Sequence, residues 1–145
     1  MNKKGYFGIG CINMKNKENY GTLFRSALIF GADFIFLIGR KFKQMPSDTL
    51  KSHKHIPLFE YETFDDFYKN LPHGCKLIGI EKADNSVAIK DFKHPKQACY
   101  LLGAENSGTP KEVISKYDNT VELPGEQFLN VSVAGSIVMF HRGLQ

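Results

Sequence analysis

Residues 34–38 read Phe34-Ile35-Phe36-Leu37-Ile38, an unbroken apolar run that ends at Gly39. A strand with one face in water alternates apolar and polar side chains, whereas a strand inside a parallel sheet is covered on both faces and is apolar throughout. The run therefore predicts a strand that is buried on both faces of a parallel sheet. Residues 6–12, upstream of it, predict a first strand.

A helical pattern lies between these two strands. Leu23, Ala27 and Phe30 recur at i, i+4 and i+7, which is the spacing of one face of a helix of about three turns. Asn19 is predicted as its N-cap, and Gly31 as the residue that stops it. Further strands are predicted at 76–80, 98–102 and 120–123, and further helices at 65–70, 110–116 and 131–141. This order predicts a single-domain α/β fold with a parallel sheet over residues 1–145.

The composition is that of an ordinary globular domain. The chain has 145 residues, of which 42% are hydrophobic and 23% charged, and its net charge of +4 favours polyanionic partners without requiring one. No apolar window approaches the roughly 18 residues of a membrane span, and the N-terminus lacks the apolar core of a signal peptide, so a soluble cytoplasmic protein is expected. Cys11, Cys75 and Cys99 form no CxxC pair, so neither a disulfide framework nor a metal site is expected.

Several common motifs are absent from the sequence. Gly8-Ile9-Gly10 invites a dinucleotide interpretation, but Asn13 stands where the third glycine of that fingerprint is needed. The sequence also contains no Walker loop, no GxSxG elbow and no HExxH helix. These absences exclude the commonest hydrolase and nucleotide-hydrolysing functions.

The segment from Gly39 to Leu58 is the most cationic part of the chain. Its single acidic residue is Asp48, and its basic residues are Arg40, Lys41, Lys43, Lys51, His53, Lys54 and His55. Two interpretations remain open. The segment is either a solvated surface loop or a loop whose charges neutralise nucleic-acid phosphates without reading sequence.

The first segment suited to chemistry runs from Asn19 to Arg25. On a helix, Arg25 lies about 200° from Leu23 and therefore points away from the core stripe. Its guanidinium is thus available to an external ligand. The alternative is an ordinary exposed arginine.

The second segment is Leu101-Leu102-Gly103-Ala104-Glu105-Asn106-Ser107-Gly108-Thr109-Pro110. At the carboxyl end of a parallel strand, Gly103 would let a ligand approach the backbone closely, and Glu105 would stand at the mouth of that site. The alternative is turn chemistry from Asn106, Ser107 and Gly108 before a helix.

The third segment runs from Leu123 to His141. Its helix, from Val131, is apolar on more than one face and interleaves small residues, namely Ser132, Ala134, Gly135 and Ser136. Such a helix is covered on two sides at close range. The second side of the helix packs either against the protein's own core or against a second copy in a dimer.

Together and in this order, the three segments resemble the three motifs of the SpoU (TrmH) branch of the SPOUT RNA methyltransferases. The family's patterns are Asn-x-Gly-x-x-x-Arg, Leu-Gly-x-Glu-x-x-Gly and Leu-Asn-Val-Ser-Val-Ala, and the resemblance spans nearly the whole chain. It implies an α/β domain with a C-terminal trefoil knot, bound S-adenosylmethionine, a homodimer, and methyl transfer to a ribose 2′-hydroxyl of tRNA or rRNA.

The resemblance also implies roles for individual residues. The adenosine-binding positions of the family fall on Gly103, Leu123 and Leu129, with Ile80 near the adenine. The catalytic set falls on Arg25, Asn19, Glu105 and Asn130.

Two features depart from the family pattern. Phe128 stands where the family usually has a serine counted among the catalytic or substrate-placing residues, and the stretch from Leu123-Pro124 to Leu129 is short. The family's larger members also have an N-terminal RNA-binding domain. Without one, RNA binding is expected to fall to the 39–58 segment and the dimer surface.

The chemistry of ribose methylation limits what each residue can do. The 2′-hydroxyl is a poor nucleophile until its proton leaves, so alignment and a proton acceptor are required. An arginine is almost always protonated, so Arg25 is expected to bind a substrate phosphate and stabilise a developing alkoxide. Asn19 would orient the guanidinium, and Glu105 would either orient it from the other side or hold the cofactor loop. No metal is required because the leaving group is a neutral thioether.

The leading hypothesis is therefore a homodimeric, cytoplasmic, S-adenosylmethionine-dependent RNA 2′-O-ribose methyltransferase, with tRNA favoured over rRNA because of the small size. Phe128 motivates a second hypothesis, a non-catalytic RNA-binding member of the same fold. A third is a metabolite-binding α/β domain whose basic segment is only solvated surface.

Overall fold

The computed structural model describes residues 5–41, 46, 51–103, 108–126 and 129–145. Within them the strands are β1 (Tyr6–Ile12), β2 (Phe34–Ile38), β3 (Leu58–Tyr61), β4 (Lys76–Ile80), β5 (Val87–Ala88), β6 (Gln97–Leu102) and β7 (Asn119–Glu122). The α-helices are α1 (Glu18–Phe30), α2 (Phe64–Lys69), α3 (Lys111–Ile114) and α4 (Val131–Gly143), and short 3-10 turns occupy Ser52–Lys54 and Ile89–Asp91.

The strands form one sheet in the order β3-β2-β1-β6-β4-β7-β5, and every neighbouring pair is parallel. In the centre, Gly10 of β1 lies between Phe36 of β2 and Leu101 of β6. Because all strands run the same way, their carboxyl ends lie along one edge, which we call the carboxyl edge. The predicted parallel α/β fold is confirmed.

Helices cover both faces of the sheet. On one face, α1 and α4 pack against a core that includes Ile9, Leu37 and Tyr100. On the other face, Phe67 of α2 and Val113 of α3 pack on a second core, whose buried strand residues include Phe34, Phe36, Ile38, Leu77, Cys99 and Leu101. The residues of β2 therefore alternate between two cores, which explains the unbroken apolar run at 34–38.

Helices α1 and α4 lie side by side and run in the same direction. They pair at three successive levels: Asn19 with Asn130, Ser26 with Ser136, and Phe30 with Phe140. Space for this packing comes from Gly135, where an added Cβ would lie 2.5 Å from Leu23 Cδ1 and 3.1 Å from Leu102 Cδ1. Gly135 thus faces the protein's own core, and it cannot serve as the dimer contact suggested by the sequence pattern.

The main differences from the sequence predictions concern ends and edges. The N-cap of α1 is Lys17, so the prediction that Asn19 caps this helix is wrong, and Asn19 instead lies in its first turn. Gly31 does end α1, with φ of 81°. Edge strands β3 and β5 were not predicted.

The implied trefoil knot stays a prediction. The trefoil knot depends on the loops after β6 and before α4, and residues 104–107 and 127–128 lie outside the described part of the chain. Glu105 and Phe128 fall in these gaps. Within the described residues, none of the helices is both long and apolar enough to cross a bilayer.

Candidate functional site

Three of the four predicted cofactor positions lie at the carboxyl ends of three adjacent strands. Ile80 is the last residue of β4, Gly103 follows β6, and Leu123 follows β7. The register places Ile80 beside both Leu102 and Val121. In open α/β sheets, ligands bind in the crevice outside the carboxyl ends of the strands. The fold therefore brings together residues that are far apart in the sequence, at the edge where a ligand is expected.

Two of the four predicted cofactor positions carry buried apolar side chains. Ile80 and Leu123 are buried, whereas Leu129, the fourth predicted position, is 42% exposed. Leu129 lies just before α4, in a segment whose preceding two residues are not described. On the opposite side, the Lys82 ammonium donates a hydrogen bond to the carbonyl of Gly125, and this bond ties the residues after β4 to those after β7.

Asn19 and Asn130 meet at the start of the two parallel helices. Asn19 is buried in the first turn of α1, and its side-chain oxygen accepts a hydrogen bond of 3.0 Å from the Asn130 side-chain amide. The first and third sequence segments are thus joined directly. Asn130 reaches this position because it is the N-cap of α4.

The N-cap geometry fixes which end of the Asn130 amide faces Asn19. The side-chain oxygen of Asn130 accepts hydrogen bonds from the backbone N–H of Ser132 at 2.9 Å and of Val133 at 3.4 Å, and from the Ser132 hydroxyl at 2.6 Å. An N-cap oxygen satisfies backbone donors that have no partner in the helix. With its oxygen committed to α4, Asn130 presents its NH₂ group to Asn19.

Arg25 occupies a different side of α1 from Asn19. Its side chain is exposed, and it shares a face with Ile29, one turn further along, which is 58% exposed. Asn19 lies about 9 Å back along the helix axis. The orientation of Arg25 by Asn19, which the sequence suggested, stays a prediction.

Glu81 is a polar residue of this edge that the sequence analysis missed. It directly follows β4, its backbone N–H donates to the Val121 carbonyl at 3.0 Å, and its carboxylate accepts a hydrogen bond from the Thr109 hydroxyl. A Cβ added at Gly103 would overlap both the Glu81 carboxylate and the Thr109 hydroxyl. Gly103 therefore lets these two side chains meet directly over the end of β6.

Burial dominates the electrostatics around Glu81. It raises the pKa of the Glu81 carboxyl above its ordinary value, and the hydrogen bond from Thr109 offsets part of this rise. Burial also raises the pKa of Tyr117, and the negative charge of Glu81 raises it further. The Tyr117 ring lies against Gly79 of β4. The sequence did contain one indication of Glu81, because Glu81 directly follows Ile80, a predicted cofactor position.

The basic segment is only partly described. Arg40, Lys41, Lys51, Lys54 and His55 are exposed, whereas Lys43 lies outside the described residues. Arg40 and Lys41 follow the end of β2, so these two residues leave the sheet at the carboxyl edge. The described residues hold no group of three His, Cys, Asp or Glu side chains suited to a metal ion.

Comparison with known proteins gives relatives along nearly the whole chain. The tRNA (guanosine(18)-2′-O)-methyltransferase of Escherichia coli K12 is 23% identical over 137 residues, which cover 90% of this chain and 60% of that protein. This chain therefore spans about 60% of the length of that curated relative.

Solved structures show the same fold. The AdoMet-bound rRNA methyltransferase from Sinorhizobium meliloti superposes with a TM-score of 0.83 at 23% identity, covering 96% of this chain and 56% of that one. A chain solved in work on the 2-OH methylation of C/U34 on tRNA superposes with a TM-score of 0.78 at 21% identity, covering 96% and 95%. The model of the SpoU rRNA Methylase family matches residues 7–140. With a match over almost its full length, the chain belongs to this family.

Proposed function

We propose that the protein transfers a methyl group from S-adenosylmethionine to a ribose 2′-hydroxyl of RNA. The observation that carries the proposal is the hydrogen bond between Asn19 and Asn130. It joins the first and third family motifs at the starts of α1 and α4, and Ile80, Gly103 and Leu123 lie at the ends of β4, β6 and β7. Family membership and the names of the relatives support the same activity.

The residues at the carboxyl edge fit the adenosine part of such a cofactor. A purine needs apolar contacts, and Ile80 and Leu123 supply buried apolar side chains. The backbone at Gly103 carries no side chain of its own, and the Glu81 carboxylate beside it is a hydrogen-bond acceptor. Ile80, Gly103, Leu123 and Leu129 would hold this part of the molecule.

The reaction needs alignment of the ribose more than it needs a strong catalyst. When bound, S-adenosylmethionine supplies a methyl group already activated on a sulfonium, and its departure leaves a neutral thioether. Methyl transfer forms the new O–C bond and breaks the O–H bond of the 2′-hydroxyl, so the proton would pass to solvent while the protein binds the ribose in line and stabilises charge on its 2′-oxygen. We assign this role to Arg25, whose exposed guanidinium would bind a neighbouring phosphate and the developing alkoxide.

An exposed apolar stripe on α4 supports a homodimer. Val133, Ile137, Phe140 and Leu144 follow one another at i, i+4, i+7 and i+11, with exposed fractions of 46%, 37%, 55% and 67%. Soluble monomers rarely expose large contiguous apolar patches. A two-fold axis through this surface would cover it with its own copy.

The same surface suggests where Arg25 acts. Arg25 and Ile29 are one turn apart on α1, and α1 lies beside α4 at the levels of Asn130 and Ser136. Arg25 and the apolar stripe are thus exposed on two adjacent helices. In a dimer through this surface, Arg25 would line a cleft completed by the second copy. An arginine that is exposed on its own chain would in this way become part of the active site.

RNA is the proposed substrate, with tRNA favoured over rRNA. The exposed Arg40 and Lys41 at the carboxyl edge would contact backbone phosphates beside the site. Two of the three relatives described above are named for tRNA. The proposed location is the cytoplasm, where such RNAs are used.

The activity can be tested with S-adenosylmethionine labelled in its methyl group and total RNA. A methylated ribose resists alkaline cleavage at that position, so we expect label in alkali-resistant dinucleotides. Arg25→Ala should abolish incorporation. Lys69→Ala, an exposed cation of α2 on the other face of the sheet, should not change it. Label in bases, or RNA binding without any incorporation, would refute the proposal, and the second result would favour a non-catalytic RNA-binding protein.

A further inference from the structure

Glu81 is placed at the proposed adenosine site but matches none of the three motifs. It is held by two strands at once, because it follows β4 and its backbone N–H bonds to Val121 of β7. Its carboxylate extends across the end of β6 to the Thr109 hydroxyl, over Gly103. A partly buried carboxylate loses hydration, and its two oxygens can accept more hydrogen bonds than the one that Thr109 donates.

We propose that Glu81 is a cofactor-positioning residue whose carboxylate accepts a hydrogen bond from a ribose hydroxyl of the adenosine. The inference rests on the proposed function, since it assumes that the adenosine of S-adenosylmethionine occupies the ends of β4, β6 and β7. Glu81 would add a charged hydrogen-bond acceptor to the proposed cofactor positions, which otherwise provide backbone and apolar groups.

The position of Glu81 favours the ribose over the purine. Ile80 and Leu123, on the same edge, are the apolar side chains that suit a flat base. A carboxylate only accepts hydrogen bonds, and the ribose diol supplies two neighbouring donors. An acidic residue near strand ends performs the same task in dinucleotide-binding sheets, where it accepts from a ribose hydroxyl.

The hydrogen bond with Thr109 leaves room for this contact. Thr109 donates to Oε1 of Glu81, and within the described part of the chain this bond leaves Oε2 able to accept. Thr109 also anchors the residues that follow the second motif, just before α3. A purely structural role, in which Glu81 only holds Thr109, is the competing explanation, and it predicts no dependence on the hydroxyls of the ligand.

Calorimetry with S-adenosylhomocysteine and its 2′-deoxy and 3′-deoxy analogues separates the two explanations. We expect wild type to bind the analogue that lacks the contacted hydroxyl about tenfold more weakly, as for hydrogen bonds to charged groups. Glu81→Leu, which removes both acceptor oxygens, should bind S-adenosylhomocysteine about tenfold more weakly than wild type and should no longer distinguish the analogues. Thr109→Val, which removes only the internal donor, should keep the discrimination.

The outcomes also separate this inference from the proposed function. Absence of any S-adenosylhomocysteine binding by wild type would refute the proposed function and the role of Glu81 with it. Binding without discrimination among the analogues by wild type would refute only the role of Glu81, and so would a Glu81→Leu variant that discriminates as wild type does. A weakening in Glu81→Leu confined to S-adenosylmethionine would place the carboxylate at the sulfonium and refute the ribose contact.

Discussion

The Asn130 side-chain amide donates a hydrogen bond of 3.0 Å to Asn19, although 111 positions separate the two residues. The bond links the first turn of α1 to the N-cap of α4, and these two helices cover one face of the sheet. Helix α4 thus begins at a point fixed by α1. This coupling has a measurable consequence for stability.

Removing both asparagines should be less destabilising than the sum of the single changes. Asn19→Ala and Asn130→Ala each break the same hydrogen bond, so a double-mutant cycle should give a coupling free energy of about 1 kcal/mol. Asn130→Ala should also lower the free energy of unfolding by about 1 kcal/mol more, because it removes the N-cap of α4. Urea unfolding measures all four proteins.

A matched pair tests whether the coupling is specific. Ser26 lies on α1 two turns after Asn19 and contacts Ser136 rather than Asn130. Ser26→Ala combined with Asn130→Ala should therefore be additive. Additivity in the Asn19 and Asn130 cycle as well would show that their hydrogen bond contributes nothing to stability.

Gly103 is the point at which the Glu81 and Thr109 side chains meet. Gly103→Val should displace the Glu81 carboxylate and fill the approach to the end of β6, because an added Cβ already overlaps both partners. We expect affinity for S-adenosylhomocysteine to fall at least about tenfold, equivalent to about 1.4 kcal/mol. The overlap involves the ends of side chains, so thermal unfolding should still be cooperative. Unchanged affinity in the calorimeter would remove Gly103 from the cofactor site.

The central strands could be predicted from sequence because burial on both faces leaves an unmistakable pattern. Residues 34–38 and 76–80 match β2 and β4 at both ends. Strand β3 was missed because it is an edge strand, in which Phe59 and Glu60 are exposed and no apolar run forms. Its sequence also falls at the end of the basic segment, which conceals it further.

The candidate site was only partly predictable for a related reason. Gly103 and Asn130 stand in motifs, so their importance could be inferred without knowing their neighbours. Glu81 depends on Thr109 and Gly103, which come 28 and 22 positions later, and only the pairing of β4 with β6 brings them together. Asn19 was mistaken for an N-cap because local propensity favours asparagine there, whereas its partner is 111 residues away.

The exposed cations of the basic segment should control the salt dependence of RNA binding. Replacing Lys41, Lys51 and Lys54 by alanine should weaken binding and reduce the slope of log K against log salt by about 0.7 to 0.9 for each RNA phosphate that is no longer neutralised. Binding of S-adenosylhomocysteine should not change. Filter binding over a series of salt concentrations measures the slope.

Two other lysines provide the control. Lys76 and Lys96 are exposed and lie at the starts of β4 and β6, at the opposite edge of the sheet. Their replacement by alanine should leave the salt slope unchanged. Equal slopes for all these variants and wild type would mean that the basic segment is solvated surface.

The apolar stripe of α4 should mediate dimerisation. Val133→Asp and Ile137→Asp place charges on its exposed face and should shift sedimentation from dimer to monomer with little loss of stability. Gly135→Leu, by contrast, should destabilise the monomer itself because Gly135 faces Leu23, Leu102 and Ile9. A wild-type protein that sediments as a monomer at assay concentration, with full activity, would contradict the dimer.

The domain should become less stable as the pH falls, because of a partly buried histidine at the edge opposite the candidate site. His94 bonds to the Tyr100 hydroxyl at 2.6 Å and to His141 at 2.8 Å, and Arg142 donates to the same hydroxyl at 3.0 Å. Burial, followed by the positive charges of His141 and Arg142, lowers the pKa of His94 to about 4. An unfolded histidine has a pKa of about 6.5. Between these two pKa values the unfolded chain binds more protons than the folded chain, so the free energy of unfolding decreases as the pH falls.

Urea unfolding from pH 7 to 4 should therefore show a shallower decline of the free energy of unfolding in His94→Gln than in wild type. His73→Gln, an exposed control, should follow wild type. Parallel pH profiles for all three proteins would mean that the pKa of His94 does not differ between the folded and unfolded states.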